Sequence, residues 1–214
     1  MLEIDQKGQC TAAVKCRDGI IIAVEKKSYK KLQDSSSIKK IHSIDENITA
    51  AFSGLNSDGR ILVNNARLKA QSYRLDYEDD PSIDFMARYI SQVAQKYTQK
   101  GGARPFGLCM FVAGFNREHQ PKLYMVEPSG MITNWKAHAI GKNSKNVVDH
   151  LQKHFKEDIG VVQGAKLLTR SLCEIVDNPR QNIEITVITD KGSRFVTAEE
   201  LDKLVSEIED ENKK

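Results

Sequence analysis

Gly8-Gln9-Cys10-Thr11-Ala12-Ala13-Val14-Lys15, followed by Cys16-Arg17-Asp18-Gly19-Ile20-Ile21-Ile22-Ala23-Val24-Glu25, sets the frame for the whole chain. Residues 11–15 and 19–25 are rich in Val, Ile and Ala, the types that suit a pleated, buried surface. Arg17-Asp18-Gly19 between them is a hairpin signal, since glycine after aspartate accepts the backbone a tight turn demands. The first strand is therefore entered through Gly8 and returns at once on itself.

Outward from this hairpin, periodicity orders the remaining elements. A polar loop through Ser35-Ser36-Ser37 leads to a strand at 40–44, and Asp45-Glu46-Asn47 turns the chain into another at 48–53. A helix is expected over 56–74 after the Ser53-Gly54-Leu55 turn. The next, over 82–99, has the cleanest pattern: Ile83, Met86, Ala87, Ile90, Val93, Ala94 and Tyr97 recur at helical spacing behind a Pro81-Ser82 start signal. Strands return at 107–115, 122–126 and 132–137, with Glu127-Pro128-Ser129-Gly130 as a tight turn. Two helices follow, marked by Val147, Val148, Leu151 and Phe155, then by Val161, Ala165, Leu168, Leu172, Ile175 and Val176. A hairpin at 183–196 turns around Asp190-Lys191-Gly192. The last helix opens with a Thr197-to-Glu200 capping box. Four strands, two helices, three strands, two helices, two strands and a helix predict one α+β domain over residues 1–214. Its expected form is a four-layer αββα sandwich of mainly antiparallel sheets, without linker or repeat.

Composition narrows the class. The 214 residues carry 32 basic and 29 acidic side chains in interspersed order, net +3, with no basic block for nucleic acid. No apolar stretch reaches the roughly 18–20 residues that span a bilayer. Without a signal peptide, the expected location is the cytoplasm and nucleus. Cys10, Cys16, Cys109 and Cys173 form no C-x-x-C pair, and no metal or cofactor is expected. Cys109 and Cys173 read as core residues. His150 and His154 stand one helical turn apart but lack the Glu of a metalloprotease helix, so they read as a solvent-facing stripe.

Several ordered motifs together resemble a known family. They are Val24-Glu25-Lys26-Lys27-Ser28, Lys31-Leu32-Gln33-Asp34 and Ser53-Gly54-Leu55-Asn56-Ser57-Asp58-Gly59-Arg60, with glycine at 59 where alanine is usual. Tyr97-Thr98-Gln99, Arg104-Pro105-Phe106-Gly107, Glu127-Pro128-Ser129-Gly130 and Ala139-Ile140-Gly141 complete the set. In this order they resemble the α-type subunits of the 20S proteasome core particle, of eukaryotic kind, and the Lys-Leu-Gln-Asp loop most resembles the fourth α position. The resemblance implies the N-terminal-nucleophile hydrolase fold. In active members the residue after the glycine is a Thr, Ser or Cys whose freed α-amino group activates its side chain. Gln9 stands there in this chain, and a side-chain amide is no useful nucleophile.

The family pattern further implies vestigial catalytic positions at Gln9, Glu25 and Lys39, and no catalytic residues. Cys10 and Thr11 cannot substitute. One step along a strand turns the side chain to the other face, and two steps displace it by about 6.6 Å. The pattern also places Lys40, Gly54 and Leu55 in an inter-subunit pocket that receives the C-terminal tail of an activator ATPase, the lysine pairing with the terminal carboxylate. Neighbouring strand residues face opposite ways, so Lys39 would face the vacant catalytic position and Lys40 the pocket. The implied partners are other α-type subunits, β-type subunits and regulatory-particle ATPases or other activators, in ubiquitin-dependent protein degradation. The implied role is a non-catalytic outer ring that gates entry. Residues 1–7 read as the remnant of the α-type N-terminal helix, and no Tyr-Asp-Arg gate segment can be carried over. Two other readings stay open: an active peptidase or amidase of the same fold with a nucleophile freed at Cys10 or Thr11, and a scaffold working outside the proteasome.

Overall fold

The computed structural model describes residues 8–26 and 39–212. The Ser35–Ser37 and Lys31–Asp34 loop motifs, Lys27-Ser28 and the expected helix remnant at 1–7 lie outside them.

Among the described residues, ten strands form two five-stranded sheets, in which every registered pair is antiparallel. The first sheet runs β10-β9-β2-β1-β8, built from β1 (Thr11–Lys15), β2 (Ile20–Glu25), β8 (Ala137–Ile140), β9 (Ile183–Thr189) and β10 (Gly192–Phe195). The second runs β3-β4-β5-β6-β7, from β3 (Ile41–Asp45), β4 (Ile48–Gly54), β5 (Leu108–Phe115), β6 (Pro121–Val126) and β7 (Ile132–Asn134). Helices α1 (Asn56–Tyr77) and α2 (Ile83–Gln99) cover the second sheet. Helices α3 (Ser144–His154), α4 (Val161–Cys173) and α6 (Ala198–Asn212) cover the first, and α5 (Pro179–Asn182) is one short turn.

The alternation of side chains along each strand produces three apolar layers. In β1, Ala12 and Val14 face α3 and α4, while Ala13 faces the other sheet. In β5, Leu108, Met110 and Val112 face α1 and α2, while Cys109, Phe111 and Ala113 fill the space between the sheets. The expected αββα sandwich is the observed one.

Cap signals hold at atomic detail. The Ser82 hydroxyl accepts from Phe85 N at 3.2 Å, and Thr197 and Glu200 exchange the two bonds of a capping box. Three details differ from expectation. Residues 132–140 are two strands, because the chain leaves the second sheet at Trp135 and Lys136 and enters the first beside β1. His150 is buried, since it follows Val147 by one turn on the face that α3 lays against α4. Cys173 is only half-buried, at the end of α4.

Candidate functional site

The backbone just ahead of β1 is held by four hydrogen bonds to three neighbouring residues. Gly8 O accepts from Lys142 N at 2.8 Å, and Gln9 O accepts from the Ser53 hydroxyl at 2.8 Å. Cys10 N donates to Glu25 Oε2 at 3.2 Å, and Cys10 O accepts from Glu25 N at 2.8 Å. Glycines make this closeness possible. A Cβ on Gly8 would lie 2.3 Å from Ser53 Oγ, and one on Gly141, at φ +97°, would lie 2.6 Å from Gln9 O. The peptide joining Gly8 to Gln9 thus runs through a crowded junction of β1, β4 and the β8–α3 turn.

The side chains around it are buried and chemically quiet. Gln9 is 7% exposed, and Cys10 and Thr11 are fully buried. Burial first, and the Glu25 carboxylate second, push the Cys10 thiol up to about 12, so it stays protonated and unreactive. The Thr11 hydroxyl is turned to Phe52 O at 3.4 Å.

The adjacent lysines do face opposite ways, but Lys39 does not stand where the family pattern implied. Lys40 is the buried one, 5% exposed, and Glu25 acts on its ammonium. Desolvation dominates and pushes its pKa down from 10.5 to about 8, with Glu25 opposing. Lys39 is exposed, and its carbonyl accepts from His42 Nε2 at 3.1 Å. Both lysines lie ahead of β3, where the chain enters the second sheet, and Lys40 is buried beside an equally buried Ile41.

Beyond Ser53 the chain forms a ledge. Gly54 ends β4 at φ +128°, where a Cβ would lie 2.3 Å from Gly107 O, so only glycine fits. Leu55 caps α1, donates its N–H to Gly107 O at 2.9 Å and leaves its side chain 47% exposed. Of the three residues expected in a tail pocket, Leu55 is open, Gly54 half-buried and Lys40 buried.

Asp58, which sequence reasoning quoted only as part of a motif, anchors the ledge. Its carboxylate accepts from Arg104 Nη1 and Nη2 at 2.6 and 2.8 Å and from Gly107 N at 2.9 Å. These charge-assisted bonds, led by Arg104, hold its pKa below the ordinary carboxylate range. The Ser53–Arg60 motif and the Arg104–Gly107 motif are therefore two halves of one joint.

A family model described as "Proteasome subunit" matches residues 5–188. The chain belongs to the proteasome subunit family. Relatives place it on the α-type branch of that family. Proteasome subunit alpha type-7 of Dictyostelium discoideum is 42% identical over 211 residues, covering 98% of this chain and 84% of that protein. Alpha type-7-B of Oryza sativa subsp. indica is 44% identical over 212 residues, covering 98% and 85%. Alpha type-4 of Saccharomyces cerevisiae is 42% identical over 216 residues, again covering 98% and 85%. Among the described residues, no group of three His, Cys, Asp or Glu side chains comes together to hold a metal ion, and no helix is long and apolar enough to cross a membrane.

Proposed function

We infer that this chain is a non-catalytic α-ring subunit of the 20S proteasome, part of the outer ring that gates substrate entry and docks regulatory particles in ubiquitin-dependent degradation. The observation that carries this reading is the similarity to α-type subunits across 98% of the chain. The junction at Gly8 supports it. Glutamine occupies the position at which active members of the fold expose a nucleophile, and Gly8 O and Gln9 O each accept a hydrogen bond from a neighbouring element. A glutamine side-chain amide is no useful nucleophile, so the cutting belongs to other subunits of a threonine-type complex.

The partners in this reading are neighbouring α-type subunits, β-type subunits and activator ATPases, at the fourth α position, in cytoplasm and nucleus. For activators the receiving surface is the Leu55 ledge, with Gly54 allowing close backbone approach and Lys40 behind it supplying charge to a terminal carboxylate. Lys40 is buried in the single chain, so the tail carboxylate must reach inward past Leu55.

Native mass spectrometry of the endogenous protein tests the assembly: the chain is expected in a particle with β-type subunits, and a free monomer with unrelated partners would refute it. For the pocket, Lys40→Ala in the assembled ring should weaken an activator-tail peptide at least tenfold, about 1.4 kcal/mol, and leave ring assembly intact. Equal affinity in wild type and variant would remove Lys40 from the pocket.

A further inference from the structure

The end of the sandwich remote from Gly8 gathers cations that the sequence keeps apart. Lys15 closes β1, Arg17 stands in the β1–β2 turn, Lys122 lies in β6 and Lys136 precedes β8. All four line one groove of about 370 Å³. Lys15 and Lys136 are neighbours across the β1–β8 ladder, Lys15 N donating to Lys136 O at 2.7 Å, so their side chains share one face of the sheet. Like charges so placed repel each other.

Neutralisation within the groove is incomplete. Glu157 pairs with Lys136, and both side chains are exposed. Asp158 is the groove's second carboxylate. The nearby Asp18 carboxylate is already engaged, accepting from Val161 N at 3.0 Å. Among the described residues no carboxylate forms an ion pair with Lys15, Arg17 or Lys122.

The kind and placement of the charges choose the occupant. Three of the four are lysines, point charges on long stems, spread over β1, β6 and the segment before β8. A phosphate group calls for donors converging on one point, as an arginine fork or a nest of backbone N–H groups. Carboxylates strung along an extended chain suit dispersed ammonium groups instead. The half-buried Phe155 and Pro121 in the same lining offer contact to an apolar side chain among those carboxylates.

We propose that this groove docks an acidic, extended segment of a partner protein, rich in Asp or Glu and carrying an apolar side chain that meets Phe155. The proposal goes beyond the ring-subunit reading and does not depend on it.

Fluorescence anisotropy of a labelled Glu-Glu-Leu-Glu-Glu peptide, titrated with the purified full chain, reads the docking. Saturable binding is expected, with Kd of about 10–100 µM at about 50 mM salt and at least tenfold weaker at about 500 mM. A Gln-Gln-Leu-Gln-Gln peptide should not bind. Arg17→Glu with Lys136→Glu changes two exposed positions and should weaken the acidic peptide at least tenfold, the fold being followed by circular dichroism. Lys96→Glu with Lys100→Glu alters net charge equally at the end of α2, outside the groove, and should leave affinity within about twofold. Glu157→Gln removes a competing carboxylate and should tighten binding. Absence of saturable binding overturns the proposal, as does equal weakening by the two double variants or no tightening in Glu157→Gln. Displacement of the peptide by inorganic phosphate beyond that by chloride at equal ionic strength also overturns it, since the groove would then be a phosphate site.

Discussion

Lys40 carries a charge into a place with little room for one, and the cost is measurable. Its side chain is 5% exposed, and its pKa falls from 10.5 in a free lysine to about 8. Between those two values the unfolded chain holds a proton that the folded chain has released, so stability rises with pH across that window. Below it, the whole difference weighs against folding, a penalty of about 3 kcal/mol at pH 7. Lys40→Met keeps the length of the stem and removes the ammonium. In the isolated chain it should raise the unfolding free energy at pH 7 by up to about 3 kcal/mol, and by only about 1 kcal/mol at pH 9.5. Glu25 loses its counter-charge in that variant and will take back part of the gain, so Lys40→Met with Glu25→Gln should approach the full value. Urea denaturation followed by Trp135 fluorescence, at one protein concentration for all variants, provides the free energies. Two results would refute the reasoning: a variant no more stable than wild type at pH 7, or a gain that does not shrink between pH 7 and 9.5.

Two further outcomes follow from the ledge. Asp58→Asn should cost about 1–3 kcal/mol at neutral pH, because the Arg104 pair is charge-assisted. Since the folded-state pKa of Asp58 is depressed, wild-type stability from this group is complete above the ordinary value of 3.8 and lost as pH falls through the lower folded value. The variant should lack that acid-dependent component, and parallel acid profiles of the two proteins would exclude it. At Gly59 a Cβ would lie 2.4 Å from the Phe52 ring, so Gly59→Ala should destabilise by about 1–3 kcal/mol. Combining it with Phe52→Leu should cost less than the sum of the two single changes in a double-mutant cycle; strict additivity would mean the ring is not the obstacle.

Much of the layering was written in local pattern. Ile83, Met86, Ile90 and Ala94 fall where the spacing put them, in the core between α2 and the second sheet, and the Arg17-Asp18-Gly19 turn pairs Lys15 with Ile20. Residues 132–140 were harder. Their apolar content suits a strand throughout, and only the neighbouring β1 decides that Ala137–Ile140 belongs to the other sheet. The site shows the same division. Glycine at 54 and glutamine at 9 are visible as residue types, whereas the choice between Lys39 and Lys40 depends on how the chain enters the second sheet ahead of β3. His150 could have been placed by its spacing from Val147 and Leu151, since all three fall on one side of α3. Nothing local joins Asp58 to Arg104, which lie 46 residues apart and meet only through tertiary packing.

That joint has a mechanical consequence. Asp58 fastens the first turn of α1 to the segment entering β5, and Leu55 N–H is fastened to the same segment through Gly107 O. The Leu55 shoulder cannot tilt without dragging the strand at the centre of the second sheet. A guest leaning on it meets a stiff edge, and any push it exerts is felt in the interior before it is felt along the surface.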